Sequence, residues 1–333
     1  MSAPAVRVHD RRSPPATFVE EVLQGLAAHP KRIAPKYFYD ERGSRLFDAI
    51  CELPEYYPTR TEMAILESCA DEVARFAGPG CTLIELGSGA SRKIRLLLET
   101  LRRRHYLGVD ISREFLIESA RRLAADYPWL EVHAACADFS QEFEVPEATA
   151  SGRRLAFFPG STIGNFEPYE ALTFLQRMRR LVQPDGALLI GVDLKKDPQI
   201  LHAAYNDRQG ITAAFNLNLF ERLRREFGAE LDLNGFRRRA FYSALHGRIE
   251  MHLVSRRAQE MRILGRRFGF KAGESVHTEN SYKYTVEEFR ALARRAGLWP
   301  VRVWCDTGQL FSVHYLSAAR TVVTAPDTES FSN

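Results

Sequence analysis

The short apolar run Thr82-Leu83-Ile84-Glu85-Leu86 ends in Gly87-Ser88-Gly89, and Ile94, Leu97, Leu98 and Leu101 then recur at helical spacing. A strand that feeds a glycine turn and opens a helix is the first unit of an open α/β sheet, and it commits the chain to layered βα packing. The rhythm continues. Tyr106 to Asp110 reads as a second strand, Leu130 to Ala135 as a third, Leu155 to Phe158 as a fourth and Ala187 to Val192 as a fifth, with helical segments between them. Five such strands call for a parallel, doubly wound sheet. Val301 to Trp304 and Leu310 to Tyr315, around the turn Asp306-Thr307-Gly308, read as a closing hairpin.

Two stretches break the rhythm. One is residues 16–59, rich in aromatics; the other is residues 198–283, between the fifth strand and the hairpin. They are expected to form a second, smaller α+β lobe, with residues 60–197 and 284–322 forming the sheet domain. The crossings at Tyr57-Pro58-Thr59 and Lys195-Lys196-Asp197 are the hinge candidates. Residues 1–15, with three prolines, read as a disordered lead-in, and residues 323–333 as a flexible tail.

At 333 residues with 45% hydrophobic residues, the chain has enough apolar surface for a normal core. A net charge of +4 is small for that length. The runs Arg102-Arg103-Arg104 and Arg237-Arg238-Arg239 read as solvated faces of amphipathic helices rather than as a phosphate track, so no nucleic-acid partner is expected. The five cysteines are scattered, odd in number and free of any C-x-x-C pair, which points to a reducing, cytoplasmic setting. No H-E-x-x-H occurs, and no metal is expected. No apolar run approaches the ~18 residues of a membrane span.

The glycine turn is built for a nucleotide. Gly87 and Gly89 permit tight backbone and close ligand approach around Ser88, and the helix after the turn offers unpaired N–H groups. A dinucleotide fingerprint would need glycine at position 92, which is Arg92. Asp110 ends the second strand, placed for ribose hydroxyls. Asp138 and Phe139 come after the third, placed for an adenine amino group and ring face. This ordered set favours S-adenosyl-L-methionine, which leaves as S-adenosyl-L-homocysteine.

The blocks Tyr37-Phe38-Tyr39-Asp40, Leu46-Phe47-Asp48 and Leu53-Pro54-Glu55-Tyr56-Tyr57-Pro58-Thr59-Arg60-Thr61-Glu62 resemble the N-terminal signature of the histidine-specific N-alpha-methyltransferases. Gly160 to Asn165, Gly191 to Leu194 and Thr212 to Asn216 resemble later blocks of the same family, so the likeness spans about residues 20–315. It implies a Rossmann-like class I methyltransferase core with a second, substrate-binding domain. It also implies transfer of three methyl groups to the α-nitrogen of L-histidine, giving the betaine hercynine on the way to ergothioneine. Carried onto this sequence, it places Gly87, Lys93, Asp110, Asp138 and Phe139 on the cofactor, and Tyr56, Asn165, Tyr205, Glu279 and Ser281 on the amino acid. Tyr39, Phe47 and Met251 would line the pocket, with Tyr39 and Asn165 nearest the chemistry. Glu279 and Ser281 would read the imidazole.

The partner is then a small-molecule amino acid, with no nucleic acid or membrane involved, and a monomer is expected. The competing readings are an N-methyltransferase of another amino acid such as a tryptophan derivative, an RNA or protein methyltransferase, and a non-catalytic cofactor binder.

Overall fold

The computed structural model describes residues 6–10, 15–101, 105–143, 145–146 and 152–320. From the N-terminus the chain runs β1 (Arg7–Asp10), α1 (Pro15–Ala27), β2 (Lys31–Arg32), α2 (Glu41–Cys51) and α3 (Tyr57–Ala77). Next come β3 (Thr82–Leu86), α4 (Arg92–Leu101), β4 (His105–Asp110), α5 (Arg113–Asp126), β5 (Glu131–Cys136), β6 (Arg154–Phe158), α6 (Pro168–Val182) and β7 (Ala187–Asp193). The insertion holds α7 (Pro198–Ala204), α8 (Ile211–Phe227), β8 (Phe236–Ser243), β9 (Arg248–Ser255), β10 (Gln259–Ile263), β11 (Arg266–Phe270) and β12 (Ser275–Tyr282). Then α9 (Val286–Arg295), β13 (Trp299–Cys305) and β14 (Phe311–Ser317) close the sheet.

Eight strands form the main sheet in the order β1-β5-β4-β3-β6-β7-β14-β13. The pairs from β1 through β7 are parallel, and β14 runs antiparallel between β7 and β13. Strands buried on both faces need continuous apolar runs, which is why β3 and β7 carry no exposed residue. Leu97, Leu116 and Leu123 pack in one apolar cluster and Phe174, Leu175 and Phe289 in another, on opposite sides of the sheet. This is a Rossmann-like, doubly wound core closed by an antiparallel hairpin.

The second lobe has its own core. Phe18, Phe38 and Tyr56 from the N-terminal stretch pack in a single cluster with Phe215, Phe220 and Met251 from the insertion. Its sheet runs β2-β12-β9-β8. The two crossings between lobes are tied to each other. The Tyr57 hydroxyl donates to Asp193 at 2.7 Å, and the Lys196 ammonium pairs with the same carboxylate.

Two expectations need correction. Residues 7–10 are not a disordered lead-in: they add a parallel strand beside β5, satisfying backbone groups at the sheet edge. Pro15 likewise opens α1 rather than ending a coil. Arg237-Arg238-Arg239 is not a helix face but part of β8, with Arg237 and Arg239 exposed and Arg238 turned inward. Arg102-Arg103-Arg104 and the tail 323–333 lie outside the described residues. No helix among the described residues is long and apolar enough to cross a membrane.

Candidate active site

The glycine turn lies at the carboxyl end of β3. Gly87 and Gly89 take φ values of +68° and +48°, which only glycine adopts cheaply. A Cβ on Gly87 would sit 3.6 Å from the Phe139 ring, so the turn and that ring form the two walls of one cradle. Among the described residues the buried Ser88 hydroxyl has no hydrogen-bond partner. Asp110 accepts from the backbone N–H of Gly89 at 3.0 Å and of Ser112 at 2.9 Å, and burial pushes its carboxyl up from its ordinary range. Asp138 accepts from Ser140 N–H at 2.9 Å and reaches across the cleft to Lys36 Nζ at 3.2 Å.

Lys93 points away from solvent onto Glu62, at 2.6 Å. Glu62 is fully buried and accepts from Gly160 N–H at 2.9 Å, so one α3 carboxylate joins the start of α4 to the loop after β6. A cleft of about 840 Å³ opens at Asp138, with Ile111 and Ser112 beside it and Lys36 and Tyr39 opposite; of the residues expected on the cofactor it is lined by Asp138 alone. A glycine cradle, an aromatic face, a spare hydroxyl and a carboxylate at successive strand ends fit a nucleoside bearing a polar tail.

Tyr39 also lines a second cavity. There it meets Phe47, Tyr56, Asn165, Tyr205, Met251, Glu279 and Ser281, so all eight residues expected at the amino-acid end share one enclosure. Strand register explains the grouping. Ala240, Met251 and Glu279 are direct cross-strand partners on β8, β9 and β12, forming one row on one sheet face. The register shifts between His277 and Glu279, leaving Thr278 as an extra residue. Such a bulge re-aims the side chains beyond it. Thr278 is pinned by donating to Met251 O at 3.0 Å and by Asn216 at 3.1 Å. Glu279 and Ser281 consequently share the cavity face. Asn280 points the other way, donating to Glu167 at 2.7 Å.

Asn165 ends a 3₁₀ turn over Thr162–Asn165 that abuts β12. Gly164 makes that approach possible, since a Cβ there would lie 2.7 Å from Tyr282 O. The opposite wall is aromatic. Tyr39 meets Phe47 edge-on at 5.8 Å and Phe215 at 5.6 Å, and Phe47 meets Tyr56 at 6.3 Å. Burial pushes the Tyr39 and Tyr56 hydroxyls well above their ordinary pKa, with Glu279 adding to it, so both stay neutral donors.

Glu279 is the costly group. It is 8% exposed, and among the described residues no hydrogen bond to its carboxylate is formed. Burial pushes its pKa up to about 8, opposed by the charges of Lys283 and Arg238. A buried carboxylate without a partner is destabilising unless a ligand supplies one.

A family model described as histidine-specific, SAM-dependent methyltransferase matches residues 18–318. The chain belongs to this family. The Histidine N-alpha-methyltransferase of Mycolicibacterium smegmatis is 42% identical over 293 residues, covering 86% of this chain and 90% of that protein. The Histidine N-alpha-methyltransferase of Mycobacterium tuberculosis is 40% identical over the same shares. Ergothioneine biosynthesis protein 1 of Neurospora crassa is 32% identical over 301 residues, covering 87% of this chain and 34% of that longer protein.

For a histidine-specific methyltransferase, some of this site is hidden in the sequence. Phe215 and Thr212 line the cavity and lie without an assigned role within the block Thr212–Asn216; Ile50, on α2, carries no signal beyond that of a core residue. Glu62 stands in the signature block, likewise without a role assigned from sequence. Among the described residues no group of three His, Cys, Asp or Glu could hold a metal ion. The Gly164→Ala variant is expected to push Asn165 off its position, lowering kcat for the amino acid about tenfold or more while cofactor affinity, read by calorimetry, stays within twofold.

Proposed function

We propose that this family member transfers methyl groups from S-adenosyl-L-methionine to the α-amino nitrogen of L-histidine, three in succession, giving hercynine as a step towards ergothioneine. The observation that carries the reading is Glu279, a buried carboxylate without a hydrogen-bond partner among the described residues, set in a cavity that otherwise offers hydroxyls and aromatic faces. An imidazole N–H is the partner such a group lacks. The substrate names of the two mycobacterial relatives agree with it.

Gly87, Ser88, Lys93, Asp110, Asp138 and Phe139 would hold the donor, which supplies an electrophilic methyl on sulfur. The protein's part is orientation, because a displacement in line with the sulfur–carbon bond needs a placed, unprotonated amine. Tyr39 lines both the cleft at Asp138 and the amino-acid cavity, and Asn165 lies in the 3₁₀ turn just past β6. These two would position the amine, with Tyr56 as a neutral hydroxyl donor to the carboxylate and Tyr205 engaged with Ser281 beside the ring. No general base is required once the neutral amine is selected.

The aromatic wall has a task late in the sequence of transfers. Each transfer to the neutral amine leaves a cationic nitrogen, which must release an N–H proton to solvent before the next transfer, and the last leaves a quaternary cation without donors. Ring faces attract such a cation by about 0.5–2 kcal/mol. Phe47→Leu is therefore expected to slow the third transfer roughly threefold to tenfold, so that dimethylated histidine accumulates in product mass spectra. Wild-type product ratios from that variant would contradict the role.

The reading itself is tested by incubating the purified protein with S-adenosyl-L-methionine and L-histidine and weighing the products. A gain of three methyl groups is expected. Inert histidine alongside a methylated tryptophan derivative would overturn it. The reading is of a cytoplasmic enzyme acting on a free amino acid.

A further inference from the structure

Behind the amino-acid cavity lies a buried ionic cluster that the chemistry above does not use. Lys283, at the end of β12, is fully buried, and its ammonium has three partners. Asp193 Oδ2 lies at 2.6 Å, Ser281 Oγ at 2.7 Å and the Tyr205 hydroxyl at 3.0 Å. An ammonium has three hydrogens and no lone pair, so these three contacts exhaust it. Asp193 is held in turn by Tyr57 and Lys196. Burial would raise the Asp193 carboxyl, but Lys283 and Lys196 outweigh it and hold it below its ordinary range.

The consequence falls on two hydroxyls that face the cavity. The Tyr205 and Ser281 oxygens are 2.8 Å apart, and either can donate to the other. Each must also accept from Lys283, which can only donate. Between them they own two protons. A phenol oxygen accepts well only once, in the plane of its ring, and Lys283 takes that place on Tyr205, so Tyr205 gives the bridging proton and Ser281 keeps the other. The oxygen that keeps the spare proton has both lone pairs filled, one by Lys283 and one by its neighbour. That oxygen can then serve the cavity only as a donor. Without Lys283 the pair could turn over and present an acceptor instead.

We propose that Lys283 is a positioning residue that fixes the Tyr205–Ser281 pair as a hydrogen-bond donor into the amino-acid cavity, so that the cavity sets one donor against one acceptor, the Glu279 carboxylate, which is ionised once a ring N–H satisfies it. This rests on the amino-acid reading above and sharpens it. The matching ligand carries a ring with one N–H and one bare nitrogen, which is a neutral imidazole. An imidazolium carries two N–H groups and an indole one, with no bare nitrogen; neither matches the arrangement.

Lys283→Met is a suitable probe because Asp193 keeps Lys196 and Tyr57 as partners, so the substitution does not strand a lone buried charge. It is expected to raise the KM for L-histidine at least tenfold, with kcat within threefold and cofactor affinity within twofold of wild type. A second arm leaves Lys283 in place. Tyr205→Phe and Ser281→Ala each remove one hydroxyl but free the proton of the other, so each is expected to raise KM less than fivefold. The double variant has no donor left and is expected to raise KM by clearly more than the product of the single effects. A Lys283→Met variant with unchanged KM, or with its loss confined to kcat, would overturn the proposal. So would a double variant whose effect equals the product of the single ones, and this arm decides alone if Lys283→Met does not fold. Wild-type trimethylation of histidine in the same assay reports separately on the amino-acid reading.

Discussion

Glu279→Gln is expected to lower kcat/KM for L-histidine about a hundredfold while leaving cofactor affinity within twofold of wild type. A hydrogen bond to an ionised group contributes about 1.5–3 kcal/mol, and each 1.4 kcal/mol is tenfold. An amide at this position also offers hydrogens where the ring offers its own, so the upper part of that range applies. The same substitution is expected to stabilise the ligand-free protein at alkaline pH. The Glu279 carboxyl, pushed from 4.5 up to about 8 by burial, keeps a proton in the folded protein over a range where the unfolded chain has released it. Folded stability therefore falls as pH rises from about 4.5 towards 8, by at most about 1.4 kcal/mol per pH unit. The amide does not titrate, so the variant should gain on wild type across that window. Thermal melts of the two proteins at pH 5 and pH 8 check the sign. Equal spacing at both pH values would mean that the carboxyl does not bear this cost. A cavity that carries a destabilising charge for its ligand is the usual trade of stability against function.

Glu62→Ala is expected to be the most destabilising single substitution in the cofactor half. Its carboxylate is fully buried, pairs with Lys93 at 2.6 Å and accepts from Gly160 N–H. Gly191 is a glycine because a Cβ there would lie 2.1 Å from Glu62 Oε1. Removing the carboxylate leaves a cation unpaired, an N–H unsatisfied and a void against Gly191. Breaking a buried pair on one side costs about 3–5 kcal/mol. Cofactor affinity should fall with it, at least tenfold, because Lys93 and the loop at Gly160 lose their common anchor. Melting curves with and without cofactor, and calorimetry of cofactor binding, read the two effects. A variant that melts with wild type and binds cofactor normally would contradict the anchoring role.

How much of this is legible in the sequence depends on what each residue type does by default. The strands from β3 to β7 are legible because a strand buried on both faces must be continuously apolar. β1 is not. Three of its four residues are exposed and only Val8 is strongly apolar, so no period marks it. Arg237-Arg238-Arg239 misleads for a related reason. In a run of one residue type, the strand's alternation of exposed and inward positions is invisible. The cavity residues of the substrate lobe are legible chiefly through the family resemblance. Phe215 and Ile50 keep the same spacing as core residues beside them, and nothing local separates a cavity wall from packing. The bulge at Thr278 leaves no pattern, yet it sets which way Glu279 points. The ionic cluster of Asp193, Lys196 and Lys283 is the least legible part. Charged residues default to the surface, and only the fold shows that these three meet where the lobes cross.

The central claim is that the cavity between Tyr39 and β12 presents a free amino acid's nitrogen to the cofactor while Glu279 reads the ring at the far end. A crystal structure with L-histidine and S-adenosyl-L-homocysteine tests it most directly. The account predicts an imidazole nitrogen within hydrogen-bond distance of the Glu279 carboxylate and the α-nitrogen facing the sulfur past Tyr39. A histidine bound with its ring away from Glu279, or its α-nitrogen turned from the sulfur, would contradict it.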